Sequence, residues 1–160
     1  MYNKRRLLIL SCSQRKHPSH EPLPAIERYD GPLFKVLRRY LRESSHQARD
    51  LDVFILSAAY GLIPGDSPTP LYDRKITADR ANELRPQVTA VLSDLMQTDY
   101  VEILFVLGKT YLKAFENLQE VVPAQIAHNV AGGPIGKKQA QLKNWLWRSS
   151  HHLLGEEESR

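Results

Sequence analysis

The sequence contains one cysteine, Cys12, among 160 residues. A single cysteine excludes an internal disulfide and any metal site built from several cysteines, and it is typical of a reducing compartment. His17 and His20 have no obvious carboxylate partner near them in the sequence. We therefore expect a cytoplasmic protein with no metal site and no cofactor.

Long hydrophobic runs are also missing. No apolar stretch approaches the length that spans a bilayer. The start, MYNKRRLLILSCS, has only four consecutive apolar residues after its basic ones, which is too short for the core of a signal peptide. We expect a first strand at this position and no association with membranes.

Internal repeats and low-complexity segments are absent as well. The composition, 42% apolar and 25% charged, is ordinary for a soluble globular protein. A chain of 160 residues can bury a core without disulfides or metals. We expect a single domain over residues 1–155 and a disordered acidic tail at 156–160.

Acidic residues are missing from the first part of the chain. Between Lys4 and Lys16 there are five basic residues and no acidic one, and the whole chain has a net charge of +4 and an isoelectric point near 9.2. A basic surface suggests nucleic acid or phosphorylated ligands as partners. An excess of lysine and arginine is also common on soluble proteins that have no such partner.

Three short segments, 6–10, 52–56 and 101–107, are almost continuously apolar and rich in branched residues. This pattern predicts strands that are covered on both faces. Helical patterns lie between and after them, at 31–44, 77–97, 109–119 and 136–154. The alternation predicts an α/β fold, a single domain with a mostly parallel sheet and flanking helices.

The helical patterns carry further detail. The apolar face of 31–44 is opposed by a basic stripe, formed by Lys35, Arg38, Arg39 and Arg42. This stripe is either a solvated helix face or a surface that contacts phosphates. In 77–97, Thr77 is the predicted N-cap, and Pro86 is expected to kink or split the helix. The last pattern is expected to bury Leu142, Trp145 and Leu146.

Each predicted strand ends in small and polar residues: SCSQRK after the first, SAAYG after the second and GKTY after the third. In open α/β sheets, ligands bind in the crevice beyond the carboxyl ends of the strands. Small residues there let a ligand approach the backbone, and hydroxyl groups supply fixed polar contacts. We therefore expect one ligand pocket at these ends, although small residues after a strand also simply make tight turns.

Charged and aromatic side chains follow the same strands. Lys16 and Lys109 can bind a phosphate or a carboxylate, and Arg15 can do so with two hydrogen bonds. Tyr60 and Tyr72 can stack on a base, unless they only pack their proline-rich loop. The glycine-rich HNVAGGPIGKKQ resembles a phosphate cradle before a helix, but it lacks the spacing of a P-loop or a dinucleotide-binding loop.

Two residues are candidates for chemistry. Cys12 lies between two serines, four residues before Lys16, and a nearby cation would make its thiol more reactive. The alternative is that Cys12 is a small buried core residue. Asp73 is the carboxylate best placed for acid–base catalysis, and its alternative is a turn held by a salt bridge.

Several blocks of the sequence resemble an uncharacterised family of bacterial and phage domains. The blocks are SCSQRK, RYDGPLF, FILSAAYGLIPGDSPTPLYD, VLGKTY and GGPIGKKQAQLKNWL, and the resemblance covers residues 7–145. The most specific of them is the Ile-Leu-Ser-x-x-Tyr-Gly-Leu block. More remotely, the order of the blocks is similar to the YaaA peroxide-stress family, which has an associated DNA-binding cleft. The opening CSQRKHPSH resembles the core domain of archaeosine synthase, an enzyme that attaches lysine to a deazaguanine base in transfer RNA.

These resemblances imply one cleft whose ligand is a nucleotide or a nucleic acid. The candidate catalytic residues are Cys12, Lys16 and Asp73. The candidate ligand-binding residues are Ser11, Ser13, Arg15, Tyr29, Gly31, Ser57, Tyr60, Gly61, Tyr72 and Lys109. We expect a protein that binds a nucleotide or nucleic acid. The alternative is an enzyme that modifies a nucleobase or acts on an N-glycosidic bond, in which Lys16 positions or activates, Tyr60 stacks and Asp73 is the base.

Overall fold

The strands pair into one main sheet in the computed structural model, which describes residues 5–148. In chain order the strands are β1 (Arg6–Ser11), β2 (Leu23–Pro24), β3 (Leu51–Ser57), β4 (Gly61–Pro64), β5 (Pro68–Thr69), β6 (Glu102–Val106) and β7 (Ala127–Val130). The main sheet has the order β4-β3-β1-β6-β7, and its neighbouring strands are parallel except β3 and β4. β2 and β5 form a separate antiparallel pair.

Helices flank the sheet. They are α1 (Ala25–Arg28), α2 (Pro32–Glu43), α3 (Ala78–Leu95), α4 (Leu118–Val121) and α5 (Ile135–Lys143). Short 3-10 helices cover Gln47–Asp50 and Tyr111–Phe115, and a π-helical turn at Asn144–Arg148 continues α5. The predicted α/β fold is confirmed. Within residues 5–148, no helix is long and apolar enough to cross a membrane.

β1 is the central strand, and it is covered on both sides. Leu8 and Leu10 belong to the core layer that contains α2 and α5, whereas Leu7 and Ile9 belong to the layer that contains α3. All four side chains are fully buried. A strand buried on both faces has no polar side to alternate with, which explains its continuous apolar run.

The chain changes sides of the sheet between β1 and β6. After β1 it turns towards the face covered by α2, and after β6 it turns to the opposite face, which the Tyr111–Phe115 helix and α4 cover. The two loops therefore separate at the carboxyl ends of two adjacent strands. A crevice at such a topological switch point is where open α/β sheets bind ligands.

Two helix predictions need correction. The pattern 109–119 is not one helix: it divides into the 3-10 helix and α4, with Asn117 between them. Asn117 Nδ2 donates to Thr89 Oγ1 at 2.9 Å, which ties the segment between the two helices to α3. Pro86 does not split α3, which runs through it. Pro86 has no N–H to donate to the carbonyl of Asn82, one turn earlier. Both residues are exposed, so water can donate to that carbonyl instead.

Other details of the helices agree with the sequence. Thr77 is the N-cap of α3, and its side chain accepts a hydrogen bond from the Arg80 N–H at 3.0 Å. Leu142, Trp145 and Leu146 are buried against the sheet, as predicted. The predicted acidic tail at 156–160 and the end of the last helical pattern lie outside the described residues.

Candidate functional site

A pocket of about 220 Å³ opens at the switch point between β1 and β6, and we call it the switch-point pocket. The carboxyl ends of both strands and the first turn of α2 form most of its wall. Its lining residues are Ser11, Cys12, Ser13, Gly31, Pro32, Leu33, Phe34, Leu107, Gly108, Ile135 and Lys138. The wall therefore combines apolar side chains with a few polar groups, as ligand sites commonly do.

Two helices begin at this pocket, α2 after Gly31 and α5 after Pro134, and neither N-cap residue caps its helix with its own side chain. In α2 the N–H groups of Gly31 and Phe34 already have partners, and Pro32 has no N–H. The helix dipole is positive at the N-terminal end of both helices. Lys138 adds a full positive charge. Its Nζ donates to the Leu107 carbonyl at 3.0 Å, which holds the charge at the pocket wall. The surroundings of the pocket thus favour an anion.

The serines at the end of β1 and just after it, Ser11 and Ser13, tie three loops together around the pocket. Ser13 Oγ accepts from the Gly31 N–H at 3.2 Å and donates to the Arg15 carbonyl at 2.7 Å. Ser11 Oγ accepts from the Gly108 N–H at 3.2 Å. A Cβ on Gly31 would lie only 2.9 Å from the Ser13 Cβ, so this close approach requires glycine.

Cys12 lies between the pocket and a second group of polar side chains. Its side chain is 9% exposed, and its Sγ lies 3.0 Å from Tyr111 Oη. The Ala58 N–H also approaches Sγ, at 3.4 Å. Cys12 is therefore buried in the core and also lines the pocket wall, and its reactivity stays a prediction.

The second group is the hydroxyl cluster, formed by Tyr29, Ser57 and Tyr72. Tyr29 Oη lies 3.0 Å from Ser57 Oγ and 2.7 Å from Tyr72 Oη, and the third side of the triangle, Ser57 to Tyr72, is 2.9 Å. Ser57 Oγ also accepts the N–H groups of Ala59 and Tyr60, at 3.2 and 3.1 Å. The small serine at the end of β3 thus anchors both tyrosines and the turn that follows.

Burial makes these phenols weak acids. Removal from water, with a smaller effect of the nearby Cys12, raises the pKa of Tyr29 to about 12. Burial likewise raises the pKa of Tyr72 and of Tyr111 above the usual range of tyrosine. The hydroxyl cluster is therefore neutral at physiological pH and donates and accepts hydrogen bonds without carrying charge.

An alkaline titration tests this environment. The raised pKa of Tyr29 means that folding favours the protonated phenol, so its contribution to stability is complete below about pH 10 and is lost as the pH rises through about 12. The tyrosinate absorbance of the wild type should exceed that of Tyr29→Phe by the signal of one tyrosine, and this difference should develop with a midpoint near pH 12. Circular dichroism at each pH confirms that the protein is folded. A one-residue difference centred near pH 10 in folded protein would contradict the assignment.

Tyr60 and Lys16 both contact the ring of Tyr72. The Tyr60 ring meets the Tyr72 ring edge-on at 5.3 Å between centroids, and Lys16 Nζ lies 4.6 Å from the centroid of that ring. Tyr60 is 43% exposed, so it remains available to a ligand. Lys16 and Tyr60 are therefore neighbours beside the hydroxyl cluster, although neither lines the switch-point pocket.

The turn that carries Tyr60 is held from α3. Arg80 donates to the Ala58 and Ala59 carbonyls, at 2.8 and 2.9 Å. Gly61 follows Tyr60 with a φ of 77°, in the left-handed region that favours glycine. The SAAYG block after the second predicted strand thus encodes a rigid turn between β3 and β4.

Three candidates from the sequence lie apart from these two groups. Arg15 is exposed and pairs with Asp30, at 3.6 Å. Asp73 and Lys109 are exposed, and neither lines the switch-point pocket. In the part of the chain that the structure describes, no hydrogen bond or ion pair joins Asp73 to the hydroxyl cluster, and no three potential ligands gather to hold a metal ion.

The sequence interpretation did not include two residues that the structure places here. Lys138 lines the pocket and Tyr111 contacts Cys12. Lys138 lies in the glycine-rich segment HNVAGGPIGKKQ, and Tyr111 lies in GKTY at the end of the third predicted strand. Which of two neighbouring lysines reaches a pocket depends on the helix phase, and the pattern alone did not determine it.

Comparison with known proteins places the chain in a family. A family model described as a family of unknown function, DUF6884, matches residues 7–144. Solved structures with a similar fold include AF0587, a protein of unknown function, with a TM-score of 0.54 and 13% identity over 90% of this chain. The chain spans 45% of AF0587, and at this identity the likeness shows the fold alone. No curated protein matches the sequence. Since the family model covers most of its length, the protein belongs to the DUF6884 family of unknown function.

Proposed function

We propose that the protein binds a nucleotide, or one nucleotide unit of a nucleic acid, in the switch-point pocket. The observation that carries this proposal is the convergence of the α2 and α5 N-termini and Lys138 on a crevice at the switch point. Backbone N–H groups at a helix start and a lysine ammonium are the groups that hold phosphates in α/β proteins.

The size of the pocket limits what enters it. Pockets for whole drug-sized ligands have volumes of roughly 300–1,000 Å³, and the switch-point pocket has about 220 Å³. A phosphate with its sugar, or a single base, fits such a volume. The rest of the ligand then lies outside, where exposed groups such as Tyr60 are available for stacking.

The alternative is an enzyme acting on a nucleobase or an N-glycosidic bond. Of the three catalytic candidates, Cys12 lines the pocket, whereas Lys16 and Asp73 do not. Lys16 Nζ is directed to the Tyr72 ring and to the Gln14 carbonyl, at 3.3 Å. The alternative therefore rests on the Cys12 thiol beside Tyr111, and it predicts that Cys12→Ser abolishes turnover while ligand binding persists.

Isothermal titration with mononucleotides, the matching nucleosides and inorganic phosphate tests the proposal. We expect nucleotides to bind more tightly than nucleosides, because the helix N-termini and Lys138 contact the phosphate. Lys138→Ala should weaken nucleotide binding by about tenfold or more, since a hydrogen bond to a charged group contributes about 1.5–3 kcal/mol.

The control is Lys113→Ala, which removes an exposed lysine on the α3 side of the sheet. It should leave the affinity unchanged. Equal affinities for nucleotide and nucleoside, or an unchanged affinity in Lys138→Ala, would reject a phosphate site in this pocket.

A further inference from the structure

A groove between α2 and α5 carries positive charge beside the switch-point pocket. It has a volume of about 270 Å³, and its lining residues are Pro32, Lys35, Val36, Arg39, Gln139 and Lys143. We call it the basic groove. Pro32 also lines the switch-point pocket, so the two concavities meet at the start of α2.

The structure divides the basic stripe that was recognised in the sequence. Arg38 is not available to a ligand, because it donates to the Ile26 and Tyr29 carbonyls, at 2.8 and 2.9 Å, and pairs with Asp30 at 2.6 Å. Lys35 and Arg39 instead line the basic groove. The stripe thus contains one structural arginine, two cations that line the groove, and Arg42, which is exposed and does not line it.

The charges of the groove are mostly uncompensated. Arg39 pairs with Glu43 one turn later. In the part of the chain that the structure describes, no ion pair is formed by Lys35 or Lys143, and α5 has no acidic residue. On the opposite side of the sheet, α3 mixes acidic and basic residues. Positive charge therefore collects on the α2–α5 side, and a chain of phosphates complements it.

We propose that the basic groove holds the phosphate backbone of a single-stranded nucleic acid whose end or unstacked nucleotide occupies the switch-point pocket. This inference rests on the proposed function, because the pocket receives one nucleotide of the strand. A duplex keeps its bases paired inside, so a nucleotide must leave the stack to enter a pocket. Lysines and arginines that neutralise phosphates make such binding strongly dependent on salt.

The test compares probes and variants at several salt concentrations. The probes are single-stranded DNA and RNA of about 12 nucleotides, a mononucleotide and anionic phospholipid vesicles. The variants are Lys35→Ala/Lys143→Ala in the groove and Arg49→Ala/Lys113→Ala as the matched control. The control also removes two exposed cations, from the 3-10 helix before β3 and from the α3 side of the sheet.

We expect a single strand to bind the wild type with a negative slope of log K against log salt concentration. The groove variant should lose up to about 1.4 of that slope, since each phosphate neutralised on a single strand contributes about 0.7. If the groove variant and the wild type bind equally at 1 M salt, this difference in slope makes the variant bind up to about 25-fold more weakly at 0.1 M salt. The mononucleotide should bind the groove variant as it binds the wild type. The control variant should match the wild type with both probes.

Three outcomes would overturn the inference. In the first, the groove variant has the wild-type slope or loses no more than the control. In the second, single strands bind no more tightly than the mononucleotide. The proposed nucleotide site in the pocket is then retained, and the groove has another role. In the third, vesicles bind through the groove and single strands do not. If neither mononucleotide nor strand binds, the proposed function fails as well.

Discussion

Arg28→Met is expected to lower the free energy of unfolding by about 3–5 kcal/mol. Arg28 is fully buried, and its guanidinium donates to four backbone carbonyls. They belong to His17, Ser19, at 2.9 Å, Glu21, at 2.5 Å, and Thr69, at 3.0 Å. Methionine fills a similar volume but leaves these acceptors without this donor. The bond to Thr69 is buried and the three bonds to the loop 17–21 are partly buried, and a buried unsatisfied group costs about 1–3 kcal/mol.

Arg28 also matters to the site. It fixes the loop 17–21 against β5 and immediately precedes Tyr29, whose hydroxyl belongs to the hydroxyl cluster. Urea unfolding measures the loss of stability, and hydrogen exchange should show faster opening of residues 17–21. Arg39→Met is the control, because its exposed ion pair contributes at most about 1 kcal/mol. An Arg28→Met protein as stable as this control would show that the four carbonyls find other donors.

Gly61→Ala should destabilise the fold by about 2–4 kcal/mol. Its φ of 77° costs alanine roughly 1 kcal/mol or more. A Cβ at this position would lie 2.3 Å from Gln87 Oε1. Gln87 cannot retreat freely, because its amide accepts from the Leu62 N–H at 2.9 Å and donates to the Leu62 carbonyl at 3.2 Å. Relief of the clash therefore breaks hydrogen bonds beside β4.

Gly132→Ala is the matched control for this substitution. A Cβ on Gly132 meets no atom within 4 Å, so we expect a change within about 0.5 kcal/mol. The double variant Gly61→Ala/Gln87→Ala removes the clash but keeps the backbone strain. It should separate the two contributions in a double-mutant cycle. If Gly61→Ala and Gly132→Ala unfold at the same urea concentration, Gly61 is not held in its left-handed conformation.

Hydrophobic patterns in the sequence were sufficient for the three parallel strands β1, β3 and β6 and for the helices α2, α3 and α5, but they did not predict β4 or β7 at the edges of the sheet. Residues 7–10 are buried on both faces, so burial requires apolar side chains and the strand is recognisable locally. The N-cap at Thr77 was predictable for the same reason, because its hydrogen bond closes within three residues. The pattern 109–119 was wrongly predicted as one helix, since its apolar spacing did not indicate the break at Asn117.

The order of the strands and the residues that meet at their ends were decided by the tertiary structure. The sequence placed Ser57 at a strand end and Tyr72 in the proline-rich loop after it, and Tyr29 was a candidate only through the family resemblance. Only the packing of α1 and the proline-rich loop brings their hydroxyls within 3.0 Å of one another. Strand-end chemistry is local, so the sequence can reveal it.

The direction of each long charged side chain is not local. Lys138, rather than Lys109, lines the pocket, and Arg38 supports a loop while Lys35 and Arg39 line the basic groove. These differences depend on the helix phase and on carbonyl groups supplied by distant segments. The sequence by itself therefore determined the fold class and the edge of the sheet where the switch-point pocket lies. The tertiary structure decided which cations are free to meet a ligand, because only packing satisfies the others.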